Sequence, residues 1–179
     1  LFYSETEPTG VALISVDENT SQNEIIIVPG ACATISDEDI ASVAERIKES
    51  AYLLLQLEVN QDANEKVAAM AKAAGVKVIV NTAPYSPVTD EFLGGCYLVT
   101  PNEVEAEELT GICVSDLESA DKAAKVFKDK GVQNVVITLG SRGVYVNEDG
   151  KSEIVPAYKV NAIDTTGAGD AFNGGLLTA

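Results

Sequence analysis

Asp164-Thr165-Thr166-Gly167-Ala168-Gly169-Asp170, running on into Ala171-Phe172-Asn173-Gly174-Gly175-Leu176-Leu177, is the stretch on which the reading of this chain turns. Small residues at 167 to 169 let the backbone turn tightly and approach another molecule closely. The apolar run behind them predicts a helix with Gly167 to Asp170 on its first turn. Unpaired N–H groups and the positive end of the helix dipole there make a cradle for developing negative charge. A carboxylate beside such a cradle is electrostatically costly unless it acts. Asp170 has a task if it takes a proton from an alcohol while the cradle holds a transferred phosphoryl group. The plainer alternative makes Asp164 or Asp170 a helix cap and the glycines a turn. The contiguity of these residues favours the catalytic reading.

Other phosphate-binding patterns fail. Gly-x-Gly-x-x-Gly starting at Gly167 needs a third glycine where Phe172 stands, and residues 158–163 before it make a poor buried strand. A P-loop ending in Gly150-Lys151-Ser152 needs a glycine where Tyr145 stands.

The segment instead resembles the C-terminal signature of the ribokinase (PfkB) family of carbohydrate and purine sugar kinases. The resemblance implies that Gly167, Ala168 and Gly169 form an anion hole and that Asp170 is the catalytic base, touching both sugar and nucleotide. Asn102-Glu103-Val104-Glu105 is similar to the family's Asn-x-x-Glu element, which implies Asn102 near the nucleotide and Glu105 near Mg²⁺. As residues alone, Asn102 and Glu105 equally describe a helix cap. Thr138-Leu139-Gly140-Ser141-Arg142-Gly143 looks like the family's nucleotide-binding turn, although an exposed arginine in a turn is commonly just solvated. Asn81-Thr82-Ala83-Pro84 resembles the family's Asn-Pro-Ala-Pro with threonine in place of the first proline. Glu58 matches a sugar-contacting position, and its alternative is a polar residue leaving a strand. Pro29-Gly30-Ala31-Cys32 resembles a Gly-Ala-Asn element with Cys32 replacing the asparagine. Asp164 and Thr166 match positions holding a monovalent cation, K⁺, and Asp164 is otherwise a cap.

The rest of the chain fits an α/β layout. Val11 to Val16 and Glu24 to Val28 read as strands around a polar stretch, Asp17 to Asn23. They resemble part of a lid over the sugar. Ser36 with Asp39 opens a helix to about Ser50. Ala51 to Leu57 reads as a strand buried on both faces. Helix Asp62 to Ala74, strand Val76 to Val80, strand Cys96 to Thr100 and helix Asn102 to Leu109 follow. A Ser115/Glu118 capping box starts a helix to Lys130. Strand Val135 to Thr138 comes next, then Gly143 to Val146 with a turn at Glu148-Asp149-Gly150. This alternation predicts a three-layer α/β domain with a mostly parallel central sheet, ligands binding at the strands' carboxyl ends. One domain spans 1–179, with about 1–30 in the lid and 31–179 in the core. The start at Leu1 without methionine and the stop inside an apolar helix suggest an internal piece of a longer protein.

Composition narrows the function. Among 179 residues 46% are apolar, enough for a real core. With 12 basic and 28 acidic residues the net charge is −16, which disfavours nucleic-acid and anionic-membrane partners. An acidic chain that handles ATP needs local cations. The three cysteines are dispersed and no histidine is present, which removes histidine-based nucleophile and metal schemes and suits a reducing cytosol. The resemblance as a whole implies ATP-dependent phosphorylation of D-ribose to D-ribose 5-phosphate, and a homodimer joined through the lid strands. Fructokinase or 2-keto-3-deoxygluconate kinase activity is the alternative within the family. A catalytically silent sugar- or nucleotide-binding protein on the same fold is the alternative from outside enzymes.

Overall fold

A computed structural model describes residues 2–17 and 23–178. Strands β1 (Val11–Val16) and β2 (Asn23–Val28) form a separate antiparallel two-stranded sheet, in register from Val11 opposite Val28 to Val16 opposite Asn23. Most of the polar stretch read between them lies outside the described residues. The ribbon's foot is tied to the main body, where the Ala31 N–H donates to the Pro8 carbonyl at 2.8 Å.

The main sheet has six strands: β3 (Tyr52–Leu55), β4 (Lys77–Val80), β5 (Leu98–Val99), β6 (Asn134–Thr138), β7 (Val144–Glu148) and β8 (Lys151–Val155). They lie side by side in sequence order. The first four are parallel, and β7 and β8 fold back antiparallel. Between them run α1 (Asp37–Lys48, before β3), α2 (Gln61–Ala73), the short α3 (Asp90–Leu93), α4 (Glu103–Thr110) and α5 (Leu117–Asp129). Helix α6 (Ala168–Thr178) follows the sheet.

Side-chain alternation along the strands divides the two faces. Val78, Val80, Val99, Val135 and Ile137 pack with Ala68, Ala71, Phe92, Leu93, Ala106, Ala120, Ala123, Ala124 and Phe127 of the helices. Their in-between neighbours Ile79, Leu98 and Val136 point the other way, to Phe172, Leu176 and Leu177 of α6. The expected layers are therefore present. Alanines dominate the helix faces of the larger core, which lets α2 and α5 lie close against the sheet.

Several local expectations need correction. The first strand is shorter than read and only half-buried, because β3 has a ladder partner on one side alone among the described residues. The cap of α5 is shifted by one residue. Asp116, not Ser115, accepts from the Ser119 N–H at 2.8 Å, and Ser119 Oγ accepts from the Asp116 N–H at 3.0 Å. Aspartate and serine cap about equally well, and it is Asp116 that takes the extended backbone of the cap position, with φ of −149° and ψ of −176°. The predicted strand at Cys96 to Thr100 reduces to Leu98–Val99. By contrast the Ser36/Asp39 capping box stands as read, and Asp149 and Gly150 close the β7–β8 hairpin with φ of 50° and 76°.

Candidate active site

Buried polar side chains are expensive unless bonded, so where a protein keeps them is informative. Among the described residues they are Asn64, Asn81, Thr82, Thr100, Glu105 and Asn173. All sit at or beside the carboxyl-terminal ends of the parallel strands or brace the loops there. Asn64 Nδ2 donates to the Gln56 carbonyl at 2.6 Å, fixing the chain just after β3 where it approaches the exposed Glu58. The Leu57 N–H donates to the Ala83 carbonyl at 3.0 Å, joining that loop to the one after β4. Asn81 Nδ2 donates to the Thr100 carbonyl at 2.8 Å, joining the ends of β4 and β5.

The next pair of loops is joined by an isolated parallel bridge between Asn102 and Thr138. Asn102 caps α4: its side chain accepts from the Glu105 N–H at 2.8 Å, and Glu105 Oε2 accepts from the Asn102 N–H at 2.9 Å. The cap alternative read from sequence is therefore real. It also holds a buried carboxylate at the mouth of the sheet, 7% exposed. Burial pushes the Glu105 carboxyl up from its ordinary value, and the Asn102 N–H holds it back. The Thr82 hydroxyl is near enough to help hold it down, yet it makes no hydrogen bond of ordinary geometry and is buried without a partner.

The turn from Thr138 to Gly143 is shaped by backbone contacts. The Leu139 N–H donates to the Gly143 carbonyl at 2.9 Å while the Leu139 side chain is buried in the core, so this residue offers a ligand only its backbone. Gly140 has a φ of 55° and Gly143 one of 107°. A Cβ on Gly143 would lie 2.0 Å from the Val155 carbonyl oxygen, so only glycine fits. Ser141 is exposed. The Arg142 side chain is exposed, and its guanidinium donates to the carbonyls of Ser115 at 2.5 Å and Val114 at 3.1 Å, with Glu103 at 3.6 Å. It fastens the turn to the α4–α5 connection.

Residues 161–170 are exposed throughout. Asp164 Oδ1 accepts from the Thr166 N–H at 2.8 Å, which lowers the Asp164 carboxyl from its ordinary value. Gly167 turns with a φ of 74°. The helical ladder starts with Ala171 donating to Gly167, so the Gly169 and Asp170 N–H groups precede it. They find no backbone acceptor among the described residues. Asp170 stands beside them, exposed in the first turn of α6. Asn23, at the start of β2, reaches Thr166 Oγ1 at 3.2 Å and so links the ribbon to this loop.

Sequence reasoning passed over Asn173, which is 4% exposed and joins α6 to the sheet. Its Oδ1 accepts from Thr100 Oγ1 at 2.7 Å, and its Nδ2 donates to the Gly169 carbonyl at 2.9 Å. An amide in the middle of an otherwise apolar helix face was the available signal. The loops after β4, β5 and β6 and the start of α6 thus form one connected shelf. Glu58 reaches it through backbone neighbours.

Sequence and fold are both shared with known proteins. Residues 2–179 match the pfkB family carbohydrate kinase family. The ribokinase of Haemophilus influenzae is 47% identical over 173 residues, 97% of this chain and 56% of that protein. The deoxyribokinase of Salmonella typhi is 39% identical over 167 residues, 93% of this chain and 54% of that one. The structure of Arabidopsis thaliana ribokinase complexed with ribose and ATP superposes with a TM-score of 0.84 at 33% identity, covering 97% of this chain and 57% of that chain. The chain thus spans little more than half the length of these relatives. With its family signature placed on the first turn of α6 and its fold shared, the chain belongs to the pfkB family of carbohydrate kinases.

Proposed function

We propose that this chain carries the phosphoryl-transfer centre of an ATP-dependent sugar kinase of the ribokinase type, converting D-ribose and ATP to D-ribose 5-phosphate and ADP. The observation that carries it is Asp170 exposed beside the unengaged Gly169 and Asp170 N–H groups, on a shelf braced by buried polar side chains. Asp170 takes the proton of the primary hydroxyl as its oxygen attacks the γ-phosphorus and the bond to the ADP oxygen breaks. The Gly167, Gly169 and Asp170 N–H groups stabilise charge on the transferring group, while the Ala168 N–H is held by the Thr165 carbonyl at 3.1 Å. Asn102 and the Thr138–Gly143 turn line the nucleotide side, and Glu58 meets sugar hydroxyls.

Mg²⁺ keeps several of its waters and takes few carboxylates beside the substrate's phosphates. One buried carboxylate fixed by an N–H, as Glu105 is, fits that mode. Bound there, the ion neutralises phosphate charge. Asp164 and the Thr166 carbonyl supply part of a K⁺ site whose effect is to stiffen the loop, so replacing K⁺ by a bulky organic cation should slow the full-length enzyme. The outward apolar side chains of the β1–β2 ribbon suit a homodimer through the lid. The unpaired Cys32, Cys96 and Cys113 suit the cytosol.

The deciding experiment measures ADP release by the full-length protein with D-ribose, 2-deoxy-D-ribose, D-fructose and 2-keto-3-deoxygluconate in turn. D-ribose should give the highest kcat/KM. Preference for another sugar reassigns the substrate, and no turnover with any of them leaves a silent binding protein.

A further inference from the structure

The relay Asn81–Thr100–Asn173–Gly169 crosses from the ends of two strands to the first turn of α6. Asn81 donates to the Thr100 carbonyl at 2.8 Å, Thr100 Oγ1 to Asn173 Oδ1 at 2.7 Å, and Asn173 Nδ2 to the Gly169 carbonyl at 2.9 Å. Thr100 is 2%, Asn173 4% and Asn81 7% exposed, so water does not compete for these bonds.

The last acceptor is informative. The Gly169 carbonyl and the Asp170 N–H belong to one planar peptide unit, so whatever fixes the oxygen also aims the hydrogen on its far side. Gly167 and Gly169 leave this turn with little conformational preference of its own. Residues 167–170 are exposed, and a Cβ added at Gly169 would touch nothing within 4 Å. A loop so free needs an external brace.

We propose that Thr100 and Asn173 are positioning residues for phosphoryl transfer, holding the Gly169–Asp170 peptide so that its N–H points into the anion cradle and Asp170 stays in register with it. The proposal rests on the reading of Asp170 and its neighbours given above. The direction of each bond is determined. The Thr100 hydroxyl has one hydrogen and gives it to Asn173 Oδ1, which leaves the Asn173 amide group to donate to Gly169. Removing the threonine hydroxyl frees the amide to rotate and release the carbonyl.

The test compares Thr100→Val, the same shape without the hydroxyl, with Thr100→Ser, which keeps it, in the full-length protein. Misplacing a catalytic group by about 1 Å costs on the order of 10²-fold in rate. T100V should therefore lose roughly 10- to 100-fold in kcat with KM for ATP and ribose little changed, and T100S should restore most of it. Loss of folded protein alone would also lower the rate without moving KM, but kcat per titrated active site would then equal the parent's. Asn173→Ala, which deletes the brace from the helix side, should reproduce the loss and serves if T100V folds poorly. Increased mobility of the Asp170 amide in T100V relative to T100S, read by ¹⁵N relaxation, is expected whether or not Asp170 is the base. Asp170→Asn is run in parallel. If D170N abolishes turnover while T100V and N173A keep the parent kcat, the brace is refuted and the base stands. If D170N keeps the parent kcat, the base reading falls, and an Asp170 amide no more mobile in T100V than in T100S then refutes the brace as well.

Discussion

Asp170 is the base in the proposed chemistry, and its substitution separates two roles. Asp170→Asn keeps size and hydrogen-bonding capacity, so both substrates should still bind, but it accepts no proton. General-base assistance is worth roughly 10²- to 10⁴-fold, and that loss should appear in kcat with KM little changed. Asparagine caps a helix as well as aspartate does, so a mere cap predicts unchanged kcat and an unchanged melting temperature. Glu105 makes a different prediction. Its carboxyl is raised in the fold, chiefly by burial, so the folded state holds that proton more tightly than the unfolded chain. The resulting contribution to stability is present below the ordinary carboxylate value and is lost as pH rises through the raised one. Glu105→Gln keeps an acceptor for the Asn102 N–H and does not titrate. Its melting temperature relative to the parent should climb as pH goes from about 4 to about 7, and a constant difference across that range would contradict the assignment. The places of these two carboxylates, in the first turn of α6 and in the cap of α4, were legible because each sits in a local motif. Asn173 was not, since one amide in a helix looks the same whether it faces solvent or a buried threonine.

The elements that carry the site were readable to different degrees. Capping boxes at Ser36 and Asn102 and the positive-φ turn at Asp149-Gly150 follow from local hydrogen bonding, which sequence states directly. The half-burial of β3 and the shift of the α5 cap to Asp116 do not. The first depends on which strands lie beside it, and the second on a contest between adjacent acceptors. Arg142, read as solvated, is exposed as expected, and its bonds to the carbonyls of Ser115 and Val114 are the part that sequence does not state. The Thr138–Gly143 turn offers the sharpest test at this level. Gly143→Ala must place a Cβ against the Val155 carbonyl at a φ of 107°. Backbone strain of this kind costs about 1–3 kcal/mol before the clash is counted, so the variant should lose at least about 2 kcal/mol in urea unfolding. A loss under about 0.5 kcal/mol, the size of an ordinary surface change, would mean the turn rearranges freely.

Taken whole, the layered architecture was legible because buried parallel strands alternate with amphipathic helices from β3 to β6. The partition of the core into two faces was legible only in part, since it needs the strand register. The β1–β2 ribbon carries outward-facing Val11, Leu13, Ile14, Ile25, Ile26, Ile27 and Val28, all exposed. Such an apolar, edge-bearing ribbon invites pairing with another copy. Expressed by themselves, residues 1–179 should self-associate and show no kinase turnover. A monodisperse monomer by light scattering, or ribose phosphorylation at a normal rate, would contradict this.

The sequential order of the six strands has a consequence for how the molecule comes into being. The sheet pairs each strand with the one made just before it, but its parallel pairings close across whole helices, a slow step for a folding chain. It can add strands as they leave the ribosome. The bond from Thr100 to Asn173 spans 73 positions and forms only after β8 has been made. The contact that ties the first turn of α6 to the sheet is therefore among the last that a growing chain can make.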